Sequence, residues 1–159
     1  MPLDPDSFRA VLGRFPSGVT VVTTRDSGGR DLGMTVSAFC SLSLEPPLVL
    51  VCVARAASMH DALGRSETFA VNILAADQEA LSRRFSTLEE HARFDGIGYA
   101  RGRLGPALLE DALAYLECRL VGRHDGGDHG IFIGEVESAE ARQERPLLYY
   151  RGGYAQLER

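Results

Sequence analysis

The sequence predicts a mainly β protein with peripheral helices, folded as a small closed or half-closed barrel. Three observations carry this. At least six segments read as strands, among them 19–24 ("VTVVTT"), 48–54 ("LVLVCVA") and 68–74 ("TFAVNIL"), all rich in β-branched and apolar residues. Tight turns join several neighbours, which favours antiparallel pairing. The regular strand–helix alternation of a doubly wound sheet is missing.

The N-terminal stretch "LDPDSFRAVLGRFPSG" predicts a helix. Asp4 is a natural cap, Pro5 suits the first helical position, and Phe8, Val11, Leu12 and Phe15 share one face. Pro16-Ser17-Gly18 ends it. The strand 19–24 turns through "RDSGGR" into a second strand in "LGMTVSAFCSL" (32–42). Pro46-Pro47 interrupts the pattern. The apolar run 48–54 then reads as a strand buried on both faces. Ser58 is placed to cap a short helix through Leu63. The strand 68–74 follows, and Asp77 is placed to cap a helix over "QEALSRRF". Thr87 and Glu90 have capping-box spacing. The glycine-rich region 94–108 predicts a long loop with short strands. In 114–124, Leu116, Cys118 and Leu120 alternate with Glu117, Arg119 and Arg123, so the acidic and basic residues belong to an outward face. A strand over 130–141 and the closing stretch "PLLYYRGGYAQL" complete a chain read as one domain over 1–159.

Composition excludes several classes. The net charge of -5 argues against a nucleic-acid binder, and all 17 basic residues are arginine. No apolar stretch approaches the roughly 20 residues that span a bilayer, so no membrane association is expected. The acidic N-terminus lacks the form of a signal peptide. Cys40, Cys52 and Cys118 are an odd set in apolar segments and read as buried free thiols, which places the chain in the cytoplasm. No CxxC, HExxH or carboxylate cluster supports a metal. Rossmann, P-loop and GxSxG motifs are missing. "DSGG" (26–29) reads as a hairpin turn rather than a protease nucleophile loop, because all four histidines follow Ser27.

More informative are the hydroxyls of Thr35, Ser37, Ser41 and Ser43 in and just after an apolar strand. Arg55 and Ser58 stand at a helix start, a natural phosphate site. Arg83, Arg84 and a Phe85 able to stack on a ring add to them. Together they predict a phosphorylated aromatic ligand.

The ordered stretches "FPSGVTVVTT", "GMTVSAFCSLSLEPPLVLVCV", "FAVNIL", "GDHGIFIGEVE" and "PLLYYRGGY" resemble the flavin reductase family, whose members partner two-component flavin monooxygenases. The resemblance covers nearly the whole chain. It implies an FMN-binding split β-barrel, a homodimer, and reduction of free FMN or FAD by NADH or NADPH. It implies that Met34, Thr35, Val36, Ser37 and Ala38 line the isoalloxazine, with Ser41 at the same pocket. Arg55 and Ser58 would hold the phosphate. Arg84, Phe85 and Ser86 would lie toward the ribityl-phosphate or adenosine end, and Tyr154 would be a pocket wall. Asp128 and His129 match the family's GDH element and fall on the nicotinamide side, where His129 would position the nucleotide with its ring oriented by Asp128. Position 59, often Thr in relatives, is Met59 here. The alternative function on the same barrel is a non-catalytic flavin-binding electron carrier.

Overall fold

The computed structural model describes residues 1–158. The chain runs α1 (Pro5–Leu12), β1 (Ser17–Gly18), β2 (Thr20–Arg25), β3 (Asp31–Val36), β4 (Phe39–Ser43), β5 (Leu48–Ala54), α2 (Ser58–Arg65), β6 (Thr68–Ile73) and α3 (Glu79–Thr87). After a 3-10 turn at Glu90–Ala92 come β7 (Tyr99–Arg101), β8 (Ala107–Leu109), β9 (Ala114–Gly126), β10 (His129–Ala141), β11 (Leu147–Tyr150) and β12 (Gly153–Gln156).

Seven strands form one antiparallel sheet in the order β3-β2-β6-β9-β10-β5-β4. The edge strands β3 and β4 are consecutive in the chain and are joined only by Ser37-Ala38. Laid flat, such a sheet would hold its edges roughly 29 Å apart. The link from Val36 to Phe39 reaches at most about 11 Å. The sheet must therefore curl until its edges nearly meet. It remains split there, since β3 and β4 do not pair.

Inside the curl lies a core of Val22, Val36, Val51, Val53, Phe69, Val71, Cys118 and Phe132, into which α2 inserts Met59 and Leu63. A second core, with Val19, Val21, Leu74, Phe85, Leu109 and Leu147, packs α3 and β8 on the other face. Consequently β2 and β6, and not β5, are buried on both faces. In β5, Val49, Val51 and Val53 are buried while Leu48, Leu50, Cys52 and Ala54 are half-buried, and of these Leu50 and Cys52 wall a surface cleft. The threonines of β2 keep their hydroxyls satisfied: Thr20 donates to Val36 O at 2.5 Å and Thr23 to Ala107 O at 2.7 Å.

Three helix starts differ from their sequence reading. Asp4 does cap α1, accepting from Ser7 N at 3.0 Å. Ser58, however, is the first residue of α2 after Ala57, and Gln78 rather than Asp77 precedes α3. The Thr87 hydroxyl turns back to Arg83 O at 2.8 Å instead of forming a capping box. The apolar face of α1 is open to solvent, with Phe8 54%, Val11 66%, Leu12 51% and Phe15 79% exposed.

Glu117 corrects the reading of β9. It does face away from the inner core, as alternation predicts, but is only 1% exposed. The segment around β7 folds over it, and its carboxylate accepts from Arg103 N at 3.1 Å and Leu104 N at 2.9 Å. A Cβ on Gly102 would lie 2.5 Å from that carboxylate, so only glycine admits this approach. Asp31 tethers the same segment through Arg101 at 2.7 and 2.8 Å, and this pairing draws its carboxyl below the usual range.

Replacing Glu117 with Ala leaves the Arg103 and Leu104 N–H groups without their acceptor and empties a buried site on β9. Urea denaturation is expected to show a loss of about 2–4 kcal/mol, with a smaller loss for Glu117→Gln, which keeps one acceptor.

Candidate functional site

The residues singled out by sequence fall into three places. The first is a polar corner where the end of β5, the start of α2 and the β9–β10 hairpin meet. His129 pairs with Ala54 across the sheet, which brings the hairpin tip beside Arg55. Arg55 N donates to Asp128 O, and its Nε to Gly127 O, both at 2.9 Å. Its Nη2 reaches Asp125 Oδ1 at 2.6 Å. Arg55 thus clamps the hairpin while presenting cationic charge at the corner. Asp128 Oδ1 lies 2.7 Å from His129 Nδ1, a contact that holds the Asp128 carboxyl below its usual range. With the Nδ1 proton directed at Asp128, His129 leaves Nε2 available for a ligand.

Ser58 stands at the first turn of α2, which has no side-chain cap, so N–H groups there remain open to an anion. Its hydroxyl donates to Glu90 Oε2 at 2.7 Å. Met59 turns inward and is 2% exposed, so the side chain at this position serves the core.

His60, which sequence reasoning missed, lies directly behind the corner. Its ring meets Phe132 edge-on at 5.5 Å, and a Cβ on Gly130 would lie 2.7 Å from His60 Nε2. The glycine following His129 was the available signal, since it lets a ring from α2 press against the strand.

The second place is an apolar cleft of about 680 Å³ beside the split in the sheet, lined by Phe15, Gly18, Ser37, Ala38, Phe39, Cys40, Leu50, Cys52 and Ile73 among others. This volume lies within the roughly 300–1,000 Å³ of small-molecule sites. Of the predicted ring-binding residues, only Ser37 and Ala38 line it. Met34 packs against the inner core, and Val36 is 4% exposed within it. The Thr35 hydroxyl donates to Ser82 O at 2.6 Å, facing α3. Ser41, exposed on β4 beside Cys40, is not among the cleft's lining residues. Along β5, Cys52 stands in the cleft and Arg55 at the corner, three residues or roughly 10 Å apart.

The third place is α3, and its residues do not join the others. Arg84 donates to Ala92 O at 2.9 Å, to Arg93 O at 2.6 Å and to Asp95 O, and so holds the following loop. Phe85 is 0% exposed in the second core, edge-on to Phe94, and has no face for a ligand ring. The Ser86 hydroxyl turns back to Ser82 O and Arg83 O. Tyr154 bonds Ser82 Oγ at 2.7 Å beneath the Arg83 guanidinium, tying α3 to the terminal hairpin.

The cysteines are likewise unequal. Cys40 is exposed in the cleft, Cys52 half-buried and Cys118 buried. Burial pushes the Cys118 thiol up to about 12, and raises Cys52 as well.

Among known proteins, residues 12–158 match the family described as "Flavin reductase like domain". The reductase subunit HsaB of a flavin-dependent monooxygenase from Rhodococcus jostii is 44% identical over 157 residues, covering 98% of this chain and 80% of that protein. The FMN reductase (NADH) SmoA of Agrobacterium fabrum is 41% identical, over 96% of this chain and 86% of its own. The Streptomyces globisporus NADH:FAD oxidoreductase SgcE6, solved in complex with NAD and FAD fragments, has a TM-score of 0.91 at 40% identity, covering 99% of this chain and 96% of that one.

The cleft geometry makes a prediction about the thiols. Under native conditions an alkylating reagent should modify Cys40 first and Cys52 more slowly, and reach Cys118 only when denaturant unfolds the core. Mass spectrometry of the digested protein over a time course reads the order directly.

Proposed function

This chain belongs to the flavin reductase family, and on that premise we propose that it reduces free FMN or FAD with NADH and releases the reduced flavin to a partner monooxygenase. The observation that carries the reading is the pairing along β5 of an apolar cleft with a polar corner, the two environments a flavin nucleotide requires. The hydride passes from the nicotinamide ring to the flavin ring, chemistry that the two small molecules bring with them. The protein's part is to align and to desolvate.

Leu50, Cys52 and Phe39 offer the apolar surface against which a flat ring packs. Ser37 and Ala38, at the split between the edge strands, offer polar groups to the ring's hydrogen-bonding edge. Ser58 and the first turn of α2 would hold the flavin phosphate, with Arg55 adding charge. His129, fixed by Asp128, would position the nicotinamide nucleotide. No acid–base pair is required, because neither half of a hydride transfer to flavin depends on one.

The functional unit is a homodimer in this reading. α1 exposes Phe8, Val11 and Leu12, each more than half open to solvent among the described residues, and Phe15, just beyond, lines the cleft. A second copy covering this face also closes the flavin cleft from water. No helix among the described residues is long and apolar enough to cross a membrane, and three unpaired cysteines suit the cytoplasm.

A steady-state assay crossing NADH and NADPH with FMN, FAD and riboflavin tests the activity. His129→Ala is expected to raise the KM for NADH or lower kcat by roughly tenfold or more, leaving the KM for flavin in place. Ser58→Ala should raise the KM for FMN and spare riboflavin, which has no phosphate. Arg55→Ala should disturb both substrates, because Arg55 also clamps the hairpin that carries His129. Unchanged kinetics in His129→Ala would remove it from the mechanism.

For assembly, Phe8→Asp combined with Leu12→Asp is expected to give a monomer in sedimentation velocity and to raise the KM for flavin. A dimer of unchanged affinity would show that α1 is not the interface.

A further inference from the structure

The phosphate site of the preceding reading already has an anion on it. Ser58 donates its hydroxyl proton to Glu90 Oε2 at 2.7 Å, at the open N-terminal turn of α2. A hydroxyl has one proton to give. It cannot serve a phosphate and Glu90 together, so an arriving phosphate must displace the carboxylate and then sit beside a like charge.

We propose that Glu90 sets the affinity for phosphorylated flavins by competing for Ser58, which keeps FMN and FAD as exchangeable substrates instead of resident cofactors. The inference rests on the phosphate assignment above.

Three features favour a competing anion over a simple structural tie. Glu90 is carried on a loop whose position does not depend on it. Arg84 holds that loop through the carbonyls of Ala92, Arg93 and Asp95. Arg93 fastens it to Gly33 O on β3 at 2.8 Å and to Leu88 O at 2.9 Å. Releasing the Glu90 side chain therefore leaves its backbone in place. Next, Glu90 and Ser58 line one open cleft of about 720 Å³, into which the carboxylate can swing. Last, Arg65 stands on the wall of that cleft, so a displaced Glu90 has a cation to approach, while Arg30 there is held by Asp26 at 3.2 Å and Asp61 and Glu67 also line the wall. Arg65 favours phosphate once the carboxylate charge of Glu90 is gone.

Glu90→Gln isolates the charge, since glutamine keeps an oxygen to accept from Ser58. The readout is the ratio of the KM for FMN to that for riboflavin, supported by the Kd for FMN from fluorescence quenching and by competition with inorganic phosphate. Glu90→Gln is expected to lower the ratio roughly fivefold, the size of a like-charge contact a few ångströms apart near water, and to make inorganic phosphate a better competitor of FMN. Ser58→Ala is measured in parallel and should raise the ratio. If Ser58→Ala raises it while Glu90→Gln leaves it unchanged, the phosphate site stands and the role of Glu90 is overturned. If Ser58→Ala leaves the ratio unchanged, the phosphate assignment itself fails, and the inference with it.

Discussion

The chain crosses from β3 to β4 in two residues, although these strands are the opposite edges of a seven-stranded sheet. That closure sets the geometry of everything else. It forces the sheet to curl and gives the interior its enclosed core. It also leaves an unpaired split, and a split in a sheet is where backbone polar groups remain available without any cost in broken ladder bonds. The apolar cleft lies along this line, with Ser37 and Ala38 in its wall. A ring with an apolar face and a hydrogen-bonding edge is the ligand such a seam suits.

The second constraint is the amphipathic character of α2. Met59 and Leu63 are drawn into the core, which fixes the rotation of the helix and turns Ser58 outward. The same burial sets the distance between the helix start and the β9–β10 hairpin, because His60 packs on Phe132 and against Gly130. A substitution that disturbs Met59 or Gly130 therefore acts on the corner through packing alone. The reading of Met59 changes accordingly: its side chain is part of the core scaffold that fixes the helix carrying Ser58.

Periodicity made the strands, the capped first helix and the turns legible in the sequence, since each depends on local residue types. It also assigned faces correctly, as Glu117 shows by standing opposite Cys118. What covers a face is a separate question that depends on distant segments. Glu117 is buried because residues 99–105 fold over it, and α1 is exposed although its apolar pattern matches a core helix. The site divides the same way. Arg55, Asp128 and His129 come together because a strand pairing joins them, and Ser58 follows three residues after Arg55 at the start of α2. Arg84 and Phe85 carry residue types that suit a ligand, yet their chemistry is consumed by loop carbonyls and core packing. His60 had no local signature and Glu90 only a misleading one, its capping-box spacing with Thr87, because each acquires its role from a partner more than 30 residues away in the chain.

A reductase that supplies a separate oxygenase has an affinity problem that a flavoprotein with a bound cofactor does not. Flavin held too tightly is reduced once and kept; flavin held too loosely is not aligned for transfer. In the proposed reading the apolar cleft supplies the packing surface that aligns the ring, and the polar corner lies apart from it. Release must then be tuned where the chemistry is not, and the phosphate stands at the far end of the ribityl chain from the reacting ring. A carboxylate stationed on Ser58 weakens binding there without disturbing the ring's orientation, since the loop that carries it is anchored by Arg84 and Arg93. The acidic residue at this corner is thereby consistent with a chain whose product is a diffusing molecule.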